Sequence, residues 1–409
     1  MAEPVWIVGV GMTRFGRHTD LSVPELTAQA VREALADAGL EQRLIEAAFF
    51  GNTTQGALEG QLMIGGQIAL RGMGFERIPI FNVENACATG AAALHLAVNQ
   101  VRAGAVDIAL AVGVEKMNVP DRERAMAVFE GAYDVSDPAG LSATLTALGG
   151  EVDNSGAGKR SVFMDIYAAM ARAHMNEFGT TQRQIAVVAA KNHRHAMHND
   201  KAHHRTPLTV EDILAARPLS FPLTVPMCAP ITDGAAAVVV CGQRGLQRLT
   251  GSGRGVRVLA CAVGTGVERS LDASDQHIIR LLAGRAYEEA GVGPEDIDVA
   301  EVHDATAFSE IQLTELLGLC EPGGGGRAAE TGVTTLGGRL PVNPSGGLES
   351  KGHPLGATGL GQVYELVQQL RGESGVRQVP GARVAIAENG GGFYAGEEAV
   401  SAITVLGGV

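Results

Sequence analysis

No stretch of this chain approaches the roughly 20 consecutive apolar residues that a membrane span needs. No basic leader precedes the strand-like start Val5-Trp-Ile-Val-Gly-Val. The expectation is a chain with neither a spanning helix nor a secretory signal. Cysteine is scarce: Cys87, Cys228, Cys241, Cys261 and Cys320 stand at no metal-ligand spacing and form no even set. That pattern argues against a disulfide framework and a zinc site, and for a reducing, cytoplasmic setting. Positive charge is short as well. The net charge of −13 disfavours nucleic acid and anionic membranes as partners, so an anionic ligand must be held by local basic groups or helix N-termini. No Walker motif and no Gly-x-Gly-x-x-Gly after a strand is present, which leaves ATP and NAD without a binding signal.

What the chain has instead is an internal repeat. Ala34–Asp37–Ala38–Gly39–Leu40 leads to the apolar-then-polar run from Ala48 to Thr54, and Ala286–Glu289–Ala290–Gly291–Val292 leads to the run from Ala300 to Thr306, 252 residues on. Cys87-Ala-Thr-Gly90 and Gly356-Ala-Thr-Gly359 each open a long apolar helical pattern, 269 residues apart. The 409 residues therefore divide into two halves built on one plan, with units expected at 1–250 and 251–409.

In the first half, strand patterns at Val5–Val10, Ala47–Phe50, Ile78–Val83 and Val106–Gly113 alternate with helical patterns at Leu26–Leu40 and Ala88–Ala103. This rhythm predicts an α/β chain with mostly parallel sheets. Residues 116–222 break it, with a Gly/Ser-rich stretch from Gly149 to Gly158, a helix over Met164–Phe178 and a histidine-rich run; they read as an inserted loop domain that binds or covers a ligand. The alternation resumes at Asp233–Val240 and repeats with strands at Val256–Ala262, Val299–Val302 and Arg383–Ala387 and helices over Gln276–Ala290 and from Gly356.

Cys87 stands between a strand and a helix start, where free N–H groups and the helix dipole lower a thiol from its usual value of about 8.5. The competing reading is a buried, inert thiol; the other four cysteines are read that way. His353 ends the glycine-rich run Asn343-Pro-Ser-Gly346-Gly347 to His353, beside the mate of the Cys87 helix start. An imidazole there can take the thiol's proton. His303, in Glu301-Val-His-Asp304, lies at a strand end and can donate to a carbonyl that becomes an oxyanion, with Asp304 to orient it. Glu388-Asn389-Gly-Gly391-Gly follows another strand and offers bare amides for an oxyanion. His193, His195, His198, His203 and His204, interleaved with Lys191, Arg194, Lys201 and Arg205, read as a solvated basic surface that meets nucleotide phosphates and not as a metal site.

Together, Asn85-Ala-Cys-Ala-Thr-Gly90, Lys191-Asn-His-Arg-His195, Asp233-Gly-Ala-Ala-Ala, Glu301-Val-His-Asp304 and Asn343 to Gly359 resemble the thiolase superfamily, sterol-carrier-protein-X type, from Val5 to about Leu406. The chain also looks similar to acetyl-CoA acetyltransferases and to the thiolase subunit of benzoylsuccinyl-CoA cleavage. The resemblance implies a five-layer αβαβα fold, a homodimer core, coenzyme A as co-substrate with no tightly bound cofactor, and a small zinc-ribbon/OB-fold partner subunit. It implies Cys87 as the acylated nucleophile, His353 as its activator and His303 in an oxyanion hole. Asp304, Asn343, Gly391, Glu388 and Asn389 would support the site, and Lys201, Arg205, Gly346 and Gly347 would contact substrate. Thiolases have a second cysteine as acid/base. Ala387, Glu388, Asn389 and Ala305 occupy its two usual places here, so cleavage of a β-keto bond is expected over condensation. A retro-aldol lyase, an acyltransferase to another acceptor and a non-catalytic lipid-binding subunit are the rival readings.

Overall fold

The computed structural model describes residues 3–149, 161–249 and 254–408. Most of the Gly149–Gly158 stretch and the 250/251 boundary therefore lie outside the described residues. Nine strands form one sheet in the order β3-β2-β4-β7-β1-β8-β11-β10-β9. They are β1 (Val5–Met12), β2 (Ala47–Gly51), β3 (Ile80–Val83), β4 (Ile108–Glu115), β7 (Gly234–Cys241), β8 (Val256–Gly264), β9 (Val299–Glu301), β10 (Val384–Gly391) and β11 (Val400–Gly407). A separate hairpin joins β5 (Pro218–Ser220) to β6 (Leu223–Thr224). The repeat is visible in this order. It runs outward in equivalent steps on either side of the β1–β8 pair, and Val342 bridges Ala300 of β9 in parallel as β3 pairs β2.

The expectation of mostly parallel pairing is corrected. β2 pairs β3 and β4 in parallel and β9 pairs β10 in parallel, but β7 and β11 run antiparallel to both neighbours, as β1 does to β8. β7 returns only after the insertion, so no local strand–helix–strand rhythm announces its direction. The all-apolar strands are explained by burial on both faces. In β7, Ala236, Val238 and Val240 face one core, while Ala235, Ala237, Val239 and Cys241 face another. The first core holds the helices Thr89–Arg102 and Thr358–Arg371 between the two halves of the sheet. The outer cores are closed by the helices Val23–Ala38 on one side and Ile278–Ala290 on the other. This is the five-layer αβαβα arrangement, α/β in class.

The outer helices end on left-handed glycines at equivalent places, Gly39 and Gly291, whose φ values are 58° and 71°. Each central helix is 14 residues long and follows a single 3₁₀ turn, Ala86–Ala88 or Leu355–Ala357. The two helix starts touch. A methyl group on Gly90 would lie 2.7 Å from the Gly356 carbonyl, and one on Gly359 would lie 2.6 Å from the Ala91 amide. Glycine at both positions lets the two helix N-termini approach closely, which brings Cys87 beside His353.

Among the described residues of the insertion, Val162–Phe178 and Gln182–Ala196 are its long helices, and they pack with Ala307–Leu316 in a fourth core. The histidine-rich run is solvated only in part: Arg194, His198, His204 and Arg205 are exposed. Lys191, Asn192, His193 and His195 are buried. Lys191 pairs with Glu310 and donates to the Val342 carbonyl, while His195 bonds the Asn343 carbonyl and the Leu336 amide. This segment straps the glycine-rich loop that carries His353. No helix among the described residues is long and apolar enough to cross a membrane.

Candidate active site

Strand β3 delivers the chain to Ala86, a non-glycine residue with φ 47°. That strained step turns Cys87 out at the head of its helix. His353 follows the short helix Gly347–Lys351, and its amide donates to Thr232 Oγ1 at 2.8 Å. His303 leaves the end of β9. The reactive atoms of Cys87, His303 and His353 all lie within 4.8 Å of one another.

The hydrogen bonds assign the tautomers. Thr358 Oγ1 donates to the Pro354 carbonyl at 3.0 Å, so at 2.7 Å it accepts from His353 Nδ1–H. His353 Nε2 then carries the lone pair. It stands 3.4 Å from His303 Nε2, which takes the donor role. Burial holds His303 down to about 4, and burial with the neighbouring His303 ring holds His353 well below the usual imidazole range. Both rings are therefore neutral at pH 7: one a base for a thiol proton, the other an N–H donor for an oxyanion.

The thiol departs from expectation. Burial, with the Glu115 carboxylate nearby, pushes Cys87 up to about 12, outweighing the helix start. Cys87 rests as a thiol and needs His353 as it attacks. Glu115 is a residue that the motif reading missed. It accepts from the Thr53, Thr54 and Gly356 amides and so ties the second helix start to the first half. The amides of Cys87 itself and of Gly392 bond the sulfur. Gly391, expected near an oxyanion hole with the Cys87 amide, packs its Cα against the Asn85 carbonyl and the Ala88 amide.

Several other expected residues are engaged elsewhere. Asp304 does not orient His303. Its carboxylate accepts from the Leu348 amide at 2.8 Å and from Asn192 at 3.2 Å, because it faces away from its neighbour at the strand end. Asn343 bonds the Val302 amide and Glu310, fixing the loop. Asn389 lies buried against Gly359, with no hydrogen-bond partner for its amide. Gly346 and Gly347 pack on Ala196 and Asp304. Lys201 is held by Glu33 and the Met12 carbonyl, and Arg205 by Asp200 at 2.8 Å. Glu388 stands behind His303, accepting its amide N–H at 3.3 Å.

Cys87, His303 and His353 open on a cavity of about 720 Å³. Much of its wall comes from the insertion, including Phe129, Phe163, Tyr167 and Leu208. Arg217 is the one Arg or Lys in the described lining, and Cys228, read as structural, also faces the cavity. Neither was visible in a motif, since both lie in the irregular part of the chain.

A half-buried nucleophile, a neutral base, an oxyanion donor and a large acyl-sized cavity suit covalent acyl transfer. Comparison with known proteins agrees. The thiolase N-terminal domain model matches residues 5–212, and the thiolase C-terminal domain-like model matches residues 271–405. An acetyl-CoA acetyltransferase of Methanothermobacter thermautotrophicus is 39% identical over 95% of this chain and 96% of its own. Sterol carrier protein 2 of Bos taurus is 36% identical over 94% of this chain and 69% of its own. The benzoylsuccinyl-CoA thiolase subunit BbsB of Thauera aromatica is 35% identical over 96% of each chain. Two solved structures share the fold. The Ltp2-ChsH2(DUF35) aldolase superposes with a TM-score of 0.78 at 23% identity, covering 100% of this chain and 98% of that one. Human mitochondrial 3-ketoacyl-CoA thiolase in complex with CoA superposes with a TM-score of 0.71 at 16% identity, covering 100% and 99%. The chain belongs to the thiolase family and is an acyltransferase that uses coenzyme A as a substrate.

Proposed function

We propose that this thiolase is degradative and cleaves a bulky β-keto acyl-CoA by CoA-dependent thiolysis through an acyl-Cys87 intermediate. The observation that carries the proposal is the convergence of Cys87, His353 and His303 within 4.8 Å. His353 Nε2 takes the thiol proton as sulfur attacks the β-keto carbon. The Cys87 and Gly392 amides and His303 face the oxygens on which charge develops. The C–C bond breaks, and free CoA takes the acyl group from Cys87. The large cavity supports a bulky acyl group, as does likeness to a relative named for benzoylsuccinyl-CoA. Arg217, in the described lining of the cavity, supports a contact with a phosphate of CoA. The units 1–250 and 251–409, with 116–222 as the substrate-shaping insertion, belong to the same reading, as does a cytoplasmic location.

Product analysis tests it. With a bulky β-keto acyl-CoA and free CoA, two acyl-CoA thioesters are expected. A β-hydroxy acyl-CoA cleaved to one thioester plus a free aldehyde or ketone would mark a retro-aldol lyase instead. Acyl groups appearing on an acceptor other than CoA would mark the alternative acyltransferase.

We also propose a homodimer core with a small zinc-ribbon/OB-fold partner subunit, a partner in keeping with a relative named as a subunit. Strand β3 is an edge of the sheet, and Phe81 on it is 45% exposed while stacked on Phe49. An open edge with exposed aromatic surface favours pairing with a second copy. Phe81→Asp is expected to convert dimer to monomer in sedimentation equilibrium; an unchanged mass would place the interface elsewhere.

A further inference from the structure

Thiolysis moves two protons, and Cys87 with His353 accounts for one of them. The other must reach the α-carbon that leaves. Glu388 and Glu398 form a buried acidic pair that the steps above do not use. Glu388 Oε2 accepts the His303 amide at 3.3 Å, and Oε1 accepts the Ser401 hydroxyl at 3.0 Å. Both donors are neutral. Glu398 lies in the turn between β10 and β11, and its Oε2 has no hydrogen-bond partner. Its nearest basic atom, His277 Nε2 at 3.7 Å, has none either, and Arg269 is spent on Glu397 at 2.7 Å. The pair meets His303 around the bare Cα of Gly390. A methyl group there would lie 3.5 Å from His303 Nδ1, 3.5 Å from Glu388 Oε1 and 2.7 Å from Glu398 Cγ. His303 Nε2 carries its ring proton, so the lone pair is on Nδ1, which lies on the Gly390 side of the ring.

We propose that the Glu388–Glu398 pair is the proton reservoir of this site and acts through His303 in the place of the missing second thiol. This rests on the thiolysis reading. The electrons of the broken C–C bond pass to the α-carbon. A C–H bond forms there as His303 Nε2–H breaks, and His303 Nδ1 takes a proton from the pair, which is left one proton short. When CoA attacks acyl-Cys87, its thiol proton returns by the same route. The departing Cys87 sulfur recovers its own proton from His353, so every group ends as it began.

The groups facing Glu388 are His303, Ser401, Glu398 and Tyr167, with Cys87 beyond Tyr167; those facing Glu398 are Glu388, Tyr167, Glu397, Arg269 and His277. Two neighbouring carboxyls withdrawn from water, without a free counterion, resist ionising together. In keeping with this, burial and Glu398 push Glu388 up to about 8, and burial, with Glu397 nearby, pushes Glu398 up to about 7.

Deuterium exchange tests this, at the α-carbon of acetyl-CoA, propionyl-CoA and succinyl-CoA in heavy water. Wild type is expected to exchange at least one of them, and Glu388→Gln to slow that exchange by about 10²-fold or more. Glu398→Gln removes the like charge that raises Glu388, so the rise of exchange with pH should move to lower pH. A purely structural role would not move it, and this shift decides if Glu388→Gln does not fold. Wild-type exchange rates in Glu388→Gln, an unmoved profile in Glu398→Gln, or no exchange by the wild-type chain would each overturn the proposal. Acylation of wild-type Cys87 is read by mass in the same samples. Glu388-dependent exchange without acyl-Cys87 would remove the thiolysis reading and leave the reservoir standing.

Discussion

Cys87→Ala is expected to lower thiolytic turnover by about 10⁴-fold or more, the scale on which loss of a covalent nucleophile acts. The substitution removes one sulfur from a partly exposed position and keeps the Ala86–Ala88 turn within the range of ordinary side chains. Folding should therefore be unaffected, and a thermal melt within a few degrees of wild type distinguishes lost chemistry from lost structure. The remaining groups, His353, His303 and the Gly392 amide, do not replace the sulfur, because no other thiol joins them within 4.8 Å. Cys228 faces the same cavity but is absent from that cluster, and burial holds its thiol up as well. Turnover of Cys87→Ala within tenfold of wild type would mean that the C–C bond is broken without a thioester on this residue, as in a retro-aldol lyase.

His353→Ala is expected to slow acylation of Cys87 by about 10²- to 10⁴-fold. The effect is large because the resting thiol, held up to about 12, is almost wholly protonated at pH 7. A thiol that ionised by itself at neutral pH would lose much less. The bond from His353 to Thr358 is lost too, but it is worth about 1 kcal/mol and leaves the fold intact. The pH profile carries the same logic. Neutral imidazole is the active form, and burial favours that form, so protonation sets in only well below the usual imidazole range, near 4 for His303. Acylation by the wild-type chain should stay level from pH 7.5 down to about 5.5, then fall as the rings protonate. Stopped-flow measurement of thioester formation checks both. An acid limb centred near 6.5 would contradict the neutral, buried imidazole pair.

Much of this site was legible because its signals are local. A glycine that closes a helix in the left-handed region is written into the sequence at Gly39 and again at Gly291. The two Ala-Thr-Gly helix starts, at Cys87 and Gly356, announce equivalent turns wherever the rest of the chain goes. What stayed hidden depends on distant partners. Nothing adjacent to Lys201 says that Glu33, 168 residues earlier, will hold it. Asp304 follows His303 in the chain, yet neighbours at a strand end point apart, and its carboxylate serves the Leu348 amide instead. The rise in the Cys87 thiol comes from the depth of the cavity and from Glu115, on a strand two elements further along. β7 and β11 are as apolar as parallel strands because they too are covered on both faces, so composition could not reveal their direction.

The insertion illustrates the same division. Its length marked it as the part that shapes the substrate, and Phe129, Phe163 and Tyr167 do line the cavity. Its histidines looked like solvated surface because they alternate with arginine and lysine. On the Gln182–Ala196 helix that alternation spans two faces, so Arg194 is exposed while His193 and His195 are buried. The buried face grips the loop from Asn343 onward, through Lys191 to the Val342 carbonyl and His195 to the Asn343 carbonyl.

The most direct measurement is the mass of the Cys87 peptide after the protein meets a bulky β-keto acyl-CoA in the absence of free CoA. The acyl group is expected on Cys87 and should leave as a new thioester within seconds of CoA addition. Cleavage of the substrate with every Cys87 peptide unmodified, or with the label on another side chain, would contradict the account.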